Sequence, residues 1–128
     1  MILGIGTDLL DVARMASELE ESSHGFRDSV FTEGEILYCE GRRYPARHFA
    51  ARFAAKEALL KALGGAGTPG ALLEVEVSRG ADGRPRLLLH GRLRETAERL
   101  GVEKVHVSLS HTAALATASV VLEGRGSP

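Results

Sequence analysis

The order of periodic segments predicts an α+β chain: an opening strand, a run of helices, a hairpin, another helix and two closing strands. Three observations carry this. Residues 45–64, PARHFAARFAAKEALLKALG, form the longest stretch of good helix formers, with Phe49, Phe53, Leu60 and Leu63 recurring at helical spacing as a core-facing stripe. Strand-length segments near both ends and in the middle alternate or run apolar between turn residues, which predicts a mostly antiparallel sheet packed against that long helix. The glycine fingerprint of a doubly wound dinucleotide-binding domain is absent.

In chain order, residues 2–10 read as the first strand. Its Gly4 and Gly6 weaken a strand interior and mark a close approach by backbone or ligand. Asp8 stands at the strand exit, where a carboxylate either caps the next helix or serves a site. Asp11 is the equivalent cap candidate for a helix carrying Val12, Met15, Ala16 and Leu19. Residues 22–25 break the chain, and 26–31 form a short helical or irregular piece. Thr32 and Glu35 have capping-box spacing and open a short helix through Cys39, a local role for both. Pro45 suits the first turn of the long helix, which stops at Gly64 or Gly65.

Residues 64–70, GGAGTPG, lack the GKS or GKT ending of a nucleotide phosphate loop and precede a strand, so that reading is rejected; a loop beside a site stays open. Residues 72–78 alternate as a half-exposed strand, 81–83 turn, and 86–90 return as a hairpin. Leu93, Ala97 and Leu100 share one helix face, closed by Gly101. Val105, Val107 and Leu109 alternate with His106, Ser108 and Ser110, and 115–122 is small and apolar enough for a central strand. Residues 123–128 read as a loose tail on a single domain spanning 1–128.

A chain of 128 residues buries roughly two thirds of its unfolded surface, enough for one core. The formal net charge of −1 gives no reason to expect nucleic-acid or membrane binding. Charge is unevenly placed, however: residues 18–40 hold seven acidic groups against one Arg, and 42–61 hold six basic groups against one Glu. The second segment offers an anion-binding face. Cys39 is the only cysteine, which excludes an internal disulfide and a thiol-rich metal site. No run approaches the roughly 20 apolar residues of a membrane helix, so a cytoplasmic protein is expected.

Within the long helix, Glu57 and Lys61 stand four apart, the spacing of an ordinary surface ion pair worth roughly 0.2–0.5 kcal/mol. Arg52 and Lys56, also four apart, form either a positive edge facing phosphate or a solvated face. Three separated segments change the balance. They are Gly4-Ile5-Gly6-Thr7-Asp8 with Arg14, Arg52-Phe53-Ala54-Ala55-Lys56-Glu57-Ala58 with Lys61, and Ser108-Leu109-Ser110-His111. Together with Phe31-Thr32, Glu35 and Gly83-Arg84-Pro85, they resemble the holo-acyl-carrier-protein synthases, the small 4'-phosphopantetheinyl transferases, from residue 2 to about 122.

The resemblance implies the fold of that family. It also implies transfer of the phosphopantetheine arm of coenzyme A to a serine of an apo acyl carrier protein, with release of adenosine 3',5'-bisphosphate. It implies a homotrimer with coenzyme A between subunits, and a divalent ion, magnesium or alternatively manganese, held by Asp8 and Glu57. Lys61 matches the lysine near the transferred phosphate, which makes Asp8, Glu57 and Lys61 the catalytic set. Arg52, Ser110 and His111 fall on the coenzyme A side, the last two as a Ser-His turn. Arg14 matches a basic residue on the carrier-docking face. Ser29 stands where relatives often carry arginine, and Glu18, Glu20 and Glu21 make the first helix acidic. Either the chain docks through Arg14, Arg27 and the face from Arg42 to Arg52, or its partner is less acidic than usual. The rival readings are a noncatalytic carrier-binding subunit and a coenzyme A-binding regulator.

Overall fold

A computed structural model describes residues 1–21, 23–65 and 70–125. Its elements run β1 (Ile2–Asp11), α1 (Val12–Glu21), α2 (Gly25–Val30), α3 (Glu33–Glu40), α4 (Pro45–Ala62), a 3-10 turn (Ala71–Glu74), β2 (Val75–Arg79), β3 (Pro85–Leu89), α5 (Gly91–Arg99), β4 (Val102–His111) and β5 (Leu115–Gly124). Three strands form a sheet in the order β1-β5-β4, and β2 pairs with β3. Every pairing is antiparallel, as the sequence predicts, and β5 is central.

The long helix is central too. Rather than showing one apolar stripe, α4 is buried on most sides: Phe49, Leu60 and Leu63 are joined by Ala50, Ala51, Ala54, Ala55, Ala58 and Leu59. Its alanines are small enough to let neighbours close in from every direction. One core cluster lies between α4, the large sheet, the hairpin and α5; a second lies between α4, α1, α2 and α3. Against the sheet the approach is closest at β1, where a Cβ on Gly4 would strike the carbonyl oxygen of Ala62 and one on Gly6 that of Ala58. The two glycines therefore let helix backbone lie directly on strand backbone.

Helix ends follow the predicted chemistry. Thr32 and Glu35 form a reciprocal capping box on α3. After α4, Gly64 and Gly65 take φ values of 101° and 83°, and the Gly65 N–H reaches the Leu60 carbonyl at 2.7 Å, the 6→1 bond of a Schellman end. Two expectations are corrected. Residues 72–74 belong to the 3-10 turn instead of a strand, because the Leu73 N–H turns back to the Gly70 carbonyl. Glu123 and Gly124 complete β5 instead of opening a tail, since Glu123 pairs with both Ile2 and Lys104. The glycine-rich stretch falls outside the described residues at 66–69, as do 126–128.

One face of the large sheet packs on α4, and the other is open. Alternation along β1 sends Gly4, Gly6 and Asp8 toward the helix and Ile5, Thr7 and Leu9 outward. Ile5 and Leu9 are 71% and 63% exposed, and Leu115 of β5 is exposed beside them.

Candidate active site

Asp8 reaches the site because β1 alternates and because the glycines before it bring α4 down onto the strand. Its position is pinned by the neighbouring strand: Thr117 Oγ1 donates to the Asp8 carbonyl at 2.8 Å, and Thr7 Oγ1 donates to the Ala118 carbonyl at 3.1 Å. From α4, Lys61 Nζ donates to Asp8 Oδ1 and to the Thr7 carbonyl, both at 3.0 Å. Among the described residues the ion pair of Lys61 is thus with Asp8, across the helix–strand contact, and not with Glu57 along the helix.

Glu57 lies one turn before Lys61. Burial pushes its carboxyl above the usual range, the negative charge of Asp8 pushes it further, and Lys61 pulls the other way. Both carboxylates line a cavity of about 340 Å³ walled by Arg14 and Met15 of α1, Phe26 of α2 and Phe53 of α4. Two anions held side by side, one of them desolvated, fit a hard divalent cation that takes oxygen ligands. Among the described residues no group of three or more His, Cys, Asp or Glu side chains could hold a metal ion, so the pair suits an ion completed by phosphate oxygens and water.

A second group forms on the other side of α4. His111 ends β4, on the opposite edge of the sheet from β1, and its ring meets that of His48 at 4.9 Å, edge to face. Burial, then the charge of His111, then Arg52, Arg42 and Arg79 push His48 down to about 4; burial, Arg47 and Arg52 push His111 down. The Arg52 guanidinium lies 4.1 Å from the Tyr38 ring centroid, with Arg79 and Arg42 at 5.1 and 5.3 Å. Arg52 is buried and its Nε has no hydrogen-bond partner. None of Arg42, Arg47, Arg52 and Arg79 forms an ion pair among the described residues, so positive charge accumulates here. Between β3 and β4, a further cavity of about 460 Å³ brings Arg84 and Pro85 of the hairpin beside Ser108.

Several expectations need correction. Arg52 and Lys56 do not make an exposed positive edge. Lys56 is fully buried, with Nζ 2.7 Å from Glu35 Oε1, 2.7 Å from the Val30 carbonyl and 2.8 Å from the Leu72 carbonyl. Glu35 also exceeds a local cap: its Oε2 accepts the Val77 N–H at 2.7 Å, joining α3 to β2. Ser110 and His111 are the last residues of β4 and not a turn. As consecutive strand residues they point to opposite faces, so His111 meets His48 while Ser110 stays exposed on the other side. Arg27 is engaged by Asp28 and Glu40, each at 3.0 Å, whereas Arg14 forms no ion pair among the described residues. Cys39 is buried, and its thiol is pushed up to about 12, chiefly by that burial.

The profile of the 4'-phosphopantetheinyl transferase superfamily matches residues 4–118, which span both groups of residues. The chain belongs to this superfamily. This transferase is 46% identical to the holo-[acyl-carrier-protein] synthase of Syntrophus aciditrophicus over 127 residues, covering 97% of this chain and 98% of the relative. The synthase of Koribacter versatilis is 42% identical, with 96% and 99% covered. Among solved structures, the synthase of Neisseria meningitidis superposes with a TM-score of 0.87 at 31% identity, covering 96% of this transferase and 99% of that chain. The Helicobacter pylori synthase, solved in complex with coenzyme A, gives 0.81 at 26% identity, covering 93% and 99%. The architecture is therefore the 4'-phosphopantetheinyl transferase fold.

Proposed function

We propose that this chain is a holo-[acyl-carrier-protein] synthase, moving the 4'-phosphopantetheine arm of coenzyme A onto a serine of an apo acyl carrier protein and releasing adenosine 3',5'-bisphosphate. The observation that carries the reading is the meeting of Asp8 with Lys61 beside Glu57 in one cavity. Asp8 and Glu57 would hold magnesium, or manganese, which when bound offsets the charge that builds on the phosphoryl oxygens during transfer. Lys61 is exposed, so its pair with Asp8 is worth only about 0–1 kcal/mol, and its ammonium turns to a phosphate oxygen at little cost. Glu57 lines the cavity that would receive the incoming serine and, acting through a water, would take its proton. The departing bisphosphate leaves as an anion and needs no strong acid.

Arg52 and His111, with His48, Arg42, Arg47 and Arg79, make the anion-binding side, where the 3'-phosphate of coenzyme A would sit. Asp8 lies on one edge strand and His111 on the other, with β5 between them. A molecule that needs both groups is best accommodated between two copies of the chain, and the uncovered Ile5, Leu9 and Leu115 supply an apolar surface for self-association. This supports self-association with shared sites, which we take to be a homotrimer. No helix among the described residues is long and apolar enough to cross a membrane, and we place the chain in the cytoplasm.

Incubation with coenzyme A, magnesium and an apo carrier protein is expected to increase the carrier mass by one phosphopantetheine group. Carrier binding without mass gain across several carriers, by folded protein, would instead support a noncatalytic subunit.

A further inference from the structure

The basic side of α4 holds its charge in an arrangement that ion pairs do not explain. Arg52 comes from α4, Arg42 from the segment after α3 and Arg79 from the end of β2. Their guanidinium carbons lie 4.1, 5.3 and 5.1 Å from the centroid of one ring, that of Tyr38 on α3. Like charges brought this close repel one another, and none of the three forms an ion pair among the described residues. The electron-rich face of an aromatic ring is a neutral group that attracts a guanidinium, most strongly where water is excluded. Water is excluded at Arg52: the residue is 3% exposed, its Nη1 donates to the His48 carbonyl at 3.5 Å, and its buried Nε has no acceptor. A buried donor left unused is costly until a ligand supplies the acceptor. Arg79 is steadied from the hairpin as well, donating to the Gly83 carbonyl at 2.7 Å. The Tyr38 ring also meets His48 edge to face at 5.9 Å, and His48 meets His111, so one half-buried tyrosine links the three cations to the histidine pair.

We propose that Tyr38 is the positioning residue of this side: its ring collects the guanidiniums of Arg42, Arg52 and Arg79 from three separate elements into one fork, and so gives the chain its preference for a substrate carrying a phosphomonoester over the same molecule without it. This rests on the reading of the basic side as the seat of the 3'-phosphate of coenzyme A. A phosphomonoester carries about two negative charges at neutral pH and three acceptor oxygens, which suits N–H donors converging from several directions. Guanidiniums bind such a group through paired, charge-assisted hydrogen bonds, provided they are held in place before it arrives. An ordinary packing role for Tyr38 predicts that any apolar side chain of similar size serves equally well. A collecting role predicts that only a ring does.

The test compares the parent with Tyr38→Leu, which fills much of the space without a π face, and with Tyr38→Phe, which keeps the face. Rates are measured with coenzyme A and with 3'-dephospho-coenzyme A on the same preparation, so that any unfolded fraction cancels in the ratio. For the parent, KM for coenzyme A is expected to lie at least about tenfold below that for the dephospho compound, a gap that charge-assisted hydrogen bonds to one phosphate supply. Tyr38→Leu brings the two within about twofold by raising KM for coenzyme A, the change falling on KM and not on kcat, and Tyr38→Phe restores the ratio of the parent. Calorimetric titration with adenosine 3',5'-bisphosphate and with adenosine 5'-monophosphate asks the same question without a carrier protein. A binding preference that collapses in Tyr38→Leu and survives in Tyr38→Phe, in a chain that transfers nothing, upholds the role of Tyr38 and removes the transfer reaction. A parent that does not discriminate, a Tyr38→Leu variant that keeps the parent ratio, or a Tyr38→Phe variant that loses it overturns the inference.

Discussion

Glu57 is held in a conflict between burial and the charge of Asp8 on one side and the charge of Lys61 on the other, and the conflict has a cost. Its carboxyl sits above the ordinary value in the folded chain, so its favourable contribution to stability is present at low pH and lost as pH rises through that raised value. At neutral pH the ionised form works against folding. Glu57→Gln is therefore expected to lower turnover by roughly 10²-fold or more while raising Tm slightly in metal-free buffer. Added magnesium should raise the Tm of the parent and leave that of the variant unmoved; equal turnover in parent and variant would take Glu57 out of the site. Asp8, Glu57 and Lys61 are legible in the sequence as candidates, and so is the close approach signalled by Gly4 and Gly6. The partner of Lys61 is not. Helical spacing offers Glu57 at i−4, but the proximity of Asp8 is set by how α4 crosses β1, a tertiary fact that spacing along one helix does not carry.

At the scale of elements, α4 is fixed by one buried ammonium. Lys56 uses all three of its N–H donors, on Glu35 and on the carbonyls of Val30 and Leu72, and so ties α4 to α3, the end of α2 and the 3-10 turn. Removing one partner of a buried pair strands the other charge, so Lys56→Met is expected to cost about 3–5 kcal/mol in denaturant unfolding. A surface lysine would cost less than about 0.5 kcal/mol. The sequence conceals this because the capping-box spacing of Thr32 and Glu35 accounts for Glu35 without any further partner. It also conceals Arg79, which arrives at the Tyr38 cluster from an ordinary hairpin strand. The histidine pair makes a second element-scale prediction. His48 titrates at about 4 in the fold against 6.5 when free, so the unfolded chain binds its proton more tightly. Its contribution to stability is whole above about 6.5 and declines as pH falls toward about 4. Thermal melts across that window should show the loss, His48→Gln should flatten it, and adenosine 3',5'-bisphosphate should oppose it in the parent.

At the scale of the molecule, the two groups of residues occupy opposite edges of one sheet, which no local pattern announces: strand order is a property of the assembled chain. If each working site takes its carboxylates from one copy and its histidine from another, two defective chains can repair one another. Glu57→Gln and His111→Ala are each expected to be nearly inactive alone. Co-refolded in equal amounts, they should recover a measurable fraction of parent turnover; no recovery, with mixed oligomers demonstrated by mass spectrometry, would place both groups in a single subunit. The exposed Ile5, Leu9 and Leu115 lead to the same expectation by another route. A catalyst completed by its neighbours has no fixed specific activity. As the protein is diluted below its assembly constant, rate per milligram should fall steeply, and Leu9→Glu should move that fall to higher concentration, so that the abundance of the chain itself becomes a control on its output.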